Sequence, residues 1–313
     1  MATATPPHAD LSLASFHGDG RRMRKERAIR YVFRLAAVLS IVISGLIVLS
    51  LVREAWTFIT QVEWASLLTT GWFPRRDQYD VLTLVVGSLL VTGVAMLVAI
   101  PIGMGAAIYL SEYAKPRVRR YLKPALEILA GIPSVVLGYF ALTFISPEIV
   151  RRVVPSSNQF NLAAAGIGVG ILTIPLIASI AEDAMRSVPG ALREASYGMG
   201  ARKVTTSVKV VIPAAVSGLV AAFIVGVSRA IGETMVVFIA AGASGGALRS
   251  FDPFGQGQTM TAGMASLASG TDQVRGAALT FQSLFFIGML LFLITLLLNV
   301  FADRFVRRVR QKY

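Results

Sequence analysis

Six apolar runs constrain this chain more than any other feature of its sequence. They fall at roughly residues 32–52, 81–110, 125–146, 160–181, 214–241 and 276–301. Each supplies the about 20 residues that an α-helix needs to cross the hydrocarbon core of a bilayer. In lipid every backbone polar group must be satisfied internally, which a helix does within its own segment. The expected fold class is therefore all-α, a polytopic membrane protein with six transmembrane helices. Composition agrees, since 55% of the 313 residues are hydrophobic and only 15% are charged, against about a quarter charged in soluble domains.

The Lys and Arg residues sort by loop. Of the 30, 22 flank one side: Arg21–Arg34, Lys115–Lys123, Arg186–Lys209 and Arg304–Lys312. Seven flank the other, and Arg229 lies within a span. The excess of positive charge on cytoplasmic loops places both termini in the cytoplasm of a multi-pass protein of the cytoplasmic membrane. A net charge of +13 can signal nucleic-acid binding, but here the charges flank spans instead of forming one patch, so no nucleic-acid partner is expected. There is no cysteine, and His8 and His17 both lie in a polar leader, which leaves neither a thiol site nor a metal site.

Residues 1–30 read as a cytoplasmic leader without fixed structure. Residues 31–80 read as the first span and an outer segment whose Trp56, Phe58, Trp64, Trp72, Phe73 and Tyr79 suit a helix or loop lying along the interface. Residues 81–303 form a five-helix core, and 304–313 a basic tail. Pro101, Pro133 and Pro175 should kink their helices. Gly166 and Gly170 share a helix face and allow close approach in lipid. Glu127 is placed in the first turn of the third span, and "QTMTAGMASLAS" as a short outer helix.

Between the fourth and fifth spans, residues 182–213 form a basic cytoplasmic loop. A helix is expected over Pro189–Tyr197, a sharp turn at Gly198 and Gly200, and a second amphipathic stretch with Val204, Val208 and Val211 on one face, ending at Pro213. Glu194-Ala195-Ser196, then Gly200, then nine residues and Val210-Val211-Ile212-Pro213 resemble the EAA loop of bacterial ABC-importer permeases, with Ser196, Val210 and Ile212 as conservative departures. The resemblance implies a type I ABC-importer permease architecture. It implies that Glu194, Ala195, Ser196, Gly200, Ile212 and Pro213 couple the spans to a cytoplasmic ATP-binding subunit dimer.

The segments "IYLSEYAKPRVRRYLKPALEILAGIPSVVLGYFAL" and "SRAIGETMVV" are similar to phosphate-specific permease subunits, with "GETM" favouring the PstC-type over the PstA-type chain. That likeness implies a phosphate importer, with a PstA-type second permease and an extracytoplasmic phosphate-binding protein as partners. Another oxyanion such as sulfate or molybdate, a six-span channel and a phosphate-sensing scaffold stay open as alternatives. "GMGARK" lacks the Gly-x4-Gly-Lys-Ser/Thr order that cradles phosphates. ATP and Mg are thus expected on a partner chain, with no cofactor and no enzymatic activity on this one.

Arg229 and Glu233 pose the sharpest question, because each costs roughly 2.5–3.5 kcal/mol near a helix centre. Four residues apart, they can pair on one face. One reading is a purely structural ion pair. The other is a substrate pathway in which Arg229 offers phosphate a guanidinium and Glu233 holds it in place, with Ser134 and Thr234 nearby.

Overall fold

A computed structural model of the chain describes residues 20–242, 246–269 and 279–309. Helix α1 (Gly20–Gln61) begins eleven residues earlier than the leader assignment allows. Arg, Lys, Met and Glu, which dominate residues 21–27, are good helix formers, and neither Gly nor Pro interrupts them. The rest of the leader lies outside the described residues, as do residues 310–313 of the basic tail. The chain divides into two compact units between Leu51 and Val52.

Half of the six aromatics after the first span are core. Phe58, Trp72 and Tyr79 are buried together with Leu84, Met260 and Ile287; Phe58 meets Tyr79 edge-on at 5.1 Å and stacks on Phe286 at 4.9 Å. Only Trp56 and Trp64 of the three tryptophans are exposed. Three short strands pin this cluster: β1 (Gly71–Phe73), β2 (Gln78–Tyr79) and β3 (Ala247–Leu248), antiparallel in the order β2-β1-β3. An interfacial reading of the aromatics overlooked that strands place alternate side chains inward.

Helix α2 (Val81–Ile108) is capped by Asp80, whose carboxylate accepts from Leu82 N at 3.2 Å and Thr83 Oγ1 at 2.7 Å. It ends in a π-wound turn, Tyr109–Tyr113. Next comes α3 (Pro116–Ala130), amphipathic with no buried side chain, then α4 (Ser134–Phe140), which continues through a π-wound stretch, Ala141–Val150, into α5 (Arg151–Val153). The third span therefore runs over Ser134–Val153, not 125–146. Pro133 stands outside it as the α4 N-cap and does more than kink a helix, because residue 132 before it is pushed from helical geometry and α3 stops. Glu127 consequently lies near the end of α3, not in the first turn of a span.

Helix α6 (Leu162–Arg186) is capped by Asn161, which accepts from Ala164 N at 2.6 Å. Pro101 and Pro175 sit inside α2 and α6, which run on past them. The loop follows as α7 (Gly190–Gly198), α8 (Lys203–Thr206), a π-wound turn Ser207–Val211 and α9 (Ile212–Ala214). At Ala215 the chain bends by 72° into α10 (Val216–Ile231), which breaks before α11 (Met235–Ala240). The fifth span is thus not one helix over 214–241. Helix α12 (Met260–Ala268) matches the expected short helix, and α13 (Thr280–Val309) is the last span. Among the described residues five helices are long and apolar enough to cross a membrane, or six spans if the bent pair is one span.

Glycines let α2 and α6 touch backbone to side chain. A Cβ at Gly166 would stand 2.6 Å from Val94 Cβ, and one at Gly170 2.9 Å from Ala95 O. The tightest case is Gly87, where a Cβ would lie 2.1 Å from the Gln258 carbonyl oxygen, whereas Gly93 on the same helix meets nothing within 4 Å. Gly87→Ala should lower the thermal midpoint of the detergent-purified protein, as an overpacking change of about 1–3 kcal/mol does. Gly93→Ala should leave it unchanged or raise it, since Ala is the better helix former. Equal midpoints for the two variants would contradict this packing.

Candidate functional site

Arg229 occupies the last turn of α10 and Glu233 the break that follows, between the Gly232 C-cap and α11. Arg229 Nη1 lies 3.0 Å from Glu233 Oε2. The pair expected from the sequence forms, but across a helix end instead of along one face. A cation in the last turn of a helix suits the carbonyl ends exposed there. The two partners differ in exposure: the Glu233 side chain is 4% exposed and that of Arg229 48%. The carboxylate is fixed inside the bundle, while the guanidinium, with five N–H donors in a planar fork, keeps an open side.

Surrounding elements hold the break in place. Thr261 of α12 donates its hydroxyl to the Glu233 carbonyl at 2.7 Å, satisfying a group that the helix end leaves free. Gly138 of α4 lets α11 approach until a Cβ there would be 3.0 Å from Met235 O. Non-helical backbone at membrane depth is tolerated where protein packs against it or it lines a cavity. Among the described residues the hydroxyl of half-buried Thr234 reaches only the Gly232 carbonyl, at 3.4 Å. Ser134 opens α4, and among the described residues no hydrogen bond joins it to Arg229 or Glu233. Of the four residues expected to line a pathway, the structure brings together two through their side chains, and a third, Thr234, by sequence adjacency alone.

At the opposite end of the bundle the loop folds as a helical hairpin. Helix α7 closes in a Schellman motif: Gly200 N donates to Tyr197 O at 2.9 Å and Ala201 N to Ser196 O at 3.1 Å. Gly200 has φ +79°, with nothing within 4 Å of where a Cβ would stand. Ser196 Oγ lies 2.9 Å from Thr206 Oγ1 and ties α7 to α8. Glu194 and Ala195 face outward and Met199 is 89% exposed. Ile212 packs against a cluster of Ala107, Met185, Val211 and Ala215, while Pro213 is exposed. The expected valine face does not exist, because Val204 and Val208 are exposed and Val211 is buried. The π-wound turn at Ser207–Val211 shifts the helical phase between them.

Sequence reasoning missed the buried acids that anchor this end. Glu112, in the π-wound turn after α2, pairs with Arg193 of α7 at 3.0 Å. Glu182 is buried between Arg119 and Lys123 of α3, at 2.5 and 3.1 Å, and Lys123 also bonds Asp183 at 2.9 Å. Burial opposes the charge on Lys123, yet its bonds to Asp183 and Glu182 outweigh that and hold its pKa above the ordinary lysine value. An open basin of about 590 Å³ lined by Arg119, Arg120, Lys123, Glu127 and Arg186 lies beside this group. The available signal was two acids, Glu112 and Glu182, set at span ends among many bases.

Helices that cross a membrane, a span broken at an ion pair and a helical hairpin at the basic end define an integral-membrane transport subunit. The family model described as "Binding-protein-dependent transport system inner membrane component" matches residues 99–311, and the chain belongs to that family. It is similar to the phosphate transport system permease protein PstC of Haemophilus influenzae, at 30% identity over 91% of this chain and 94% of the relative. PstC of Mesorhizobium japonicum is likewise 30% identical over 88% of each chain. Among solved structures, a bacterial alginate ABC transporter in complex with an alginate pentasaccharide-bound periplasmic protein shares the fold, with TM-score 0.64 and 14% identity over 93% of this chain and 98% of that one.

Proposed function

We propose that this chain is the PstC-type permease subunit of an ATP-driven importer that moves inorganic phosphate across the cytoplasmic membrane. ATP and Mg are bound by a partner ATPase dimer, the second permease is a PstA-type chain, and an extracytoplasmic binding protein delivers the anion. The observation that supports an anion pathway is the Arg229–Glu233 pair, in which a buried carboxylate orients a guanidinium that is 48% exposed. Such a fork matches phosphate oxygens bidentately. Similarity to PstC relatives supports phosphate over sulfate or molybdate. Uptake of radiolabelled phosphate by cells that depend on this chain tests the assignment: unlabelled phosphate should compete and excess sulfate or molybdate should not. Competition by sulfate instead would overturn it.

The exposed Glu194–Gly200 knob, headed by Met199, is read as the element that docks on the ATPase from the cytoplasm. With no native cysteine in the sequence, single cysteines report topology without background. Met199→Cys and Arg310→Cys should be labelled by an impermeant maleimide only after the membrane is opened, and Gly255→Cys in intact cells. Labelling of position 199 from outside intact cells would reverse the orientation.

A further inference from the structure

Both arms of the loop hairpin grip one turn at the end of α2. Arg193 of α7 donates to Glu112 Oε1 at 3.0 Å, and its guanidinium also donates to the carbonyls of Val188 at 2.7 Å and Met185 at 2.8 Å. The Glu112 side chain is 3% exposed and that of Arg193 20%, so the contact lies within the protein and not on its surface. From the other arm, Lys203 Nζ stands 5.0 Å from the centre of the Tyr113 ring. Glu112 and Tyr113 belong to the same π-wound turn, Tyr109–Tyr113. That turn continues α2, and α2 packs along α6 through Gly103, Gly166 and Gly170.

We infer that Glu112 and Arg193 form a strut that transmits displacement of the loop hairpin to α2, making them positioning residues for transport that act at a distance from the Arg229–Glu233 pair. Apolar contacts around Ala107, Met185 and Val211 can slide, because they are non-directional. A charged hydrogen bond with a buried carboxylate cannot lengthen without leaving that charge unpaired, which is strongly unfavourable. The bond therefore obliges the turn to follow α7. π-Wound turns recur at functional positions in helices, and here the turn is the part that the strut would move.

The inference rests on the reading that the knob docks on the ATPase, and the test separates the two. The full complex of permeases and ATPase is reconstituted in proteoliposomes, and both phosphate uptake and ATP hydrolysis are measured. Glu112→Gln keeps the size of the side chain and the Arg193 bonds to Val188 and Met185, so the hairpin should hold its fold. Phosphate moved per ATP hydrolysed should fall at least tenfold while hydrolysis continues, and Glu112→Asp should recover part of the loss. Unchanged coupling in Glu112→Gln overturns the strut, and so does failure of Glu112→Gln to assemble when Glu112→Asp couples normally. Crosslinking of Met199→Cys to the ATPase should persist in both variants. Its absence in the otherwise wild-type complex would reject the docking reading, whatever Glu112 does.

Discussion

Replacing Arg229 with Gln is expected to abolish phosphate uptake, with at least a hundredfold loss, and the structure shows which control makes that result interpretable. Glu233 is 4% exposed and pairs with Arg229 at 3.0 Å. Removing the arginine alone leaves a buried carboxylate without its ion-pair partner, which is unfavourable. Loss of uptake in Arg229→Gln would then have two causes, a missing anion ligand and a damaged break between α10 and α11. The double variant Arg229→Gln/Glu233→Gln removes both charges together and should assemble like the wild type. It should still fail to transport, because the guanidinium fork is gone. Arg229→Lys should be intermediate, since it keeps charge without bidentate geometry, and Glu233→Gln should retain some uptake. Recovery of transport in the double variant would reduce the pair to a structural role.

Gly200→Val should uncouple or disassemble the complex while leaving the chain inserted in the membrane. The backbone there is left-handed, with φ +79°, a conformation that costs an L-residue about 1–2 kcal/mol and a β-branched residue more. No atom lies within 4 Å of the added Cβ, so the effect acts through backbone geometry and not through a clash. The valine would open the Schellman closure and re-aim Met199 and Ala201. Gly198→Ala adds a methyl in equally open space but within α7, and should behave as wild type. Pull-down of the ATPase and uptake, measured on both variants, check the claim; normal association and uptake in Gly200→Val would contradict it.

The parts of this architecture that were legible in the sequence are those set by local chemistry. Apolar length marked the spans, and the Pro189–Gly200 segment marked a helix and its stop because Gly at a helix end has a specific backbone meaning. The spacing of Arg229 and Glu233 foretold their pairing. What failed depended on where helices stop under tertiary packing. Pro133 was read as a kink when it caps a new helix, and the valines of the second loop helix were assigned to one face because a π-wound turn is invisible to a 3.6-residue period. The fifth span was read as one run over 214–241, yet Thr261 of α12 and Gly138 of α4 stabilise a break after Gly232. Glu112 and Glu182 each look like an ordinary acid near a span end. Only the fold brings Arg193, Arg119 and Lys123 to them from 59 to 81 residues away in the chain.

The most direct test of the account is phosphate accumulation in proteoliposomes that contain this chain, the proposed PstA-type partner and the proposed ATPase, with the binding protein outside and ATP inside. Phosphate should accumulate against its gradient only when ATP, the binding protein and this chain are all present, and Arg229→Gln/Glu233→Gln should eliminate accumulation in an intact complex. Phosphate that equilibrates without ATP, or accumulates unchanged in the double variant, would contradict the account.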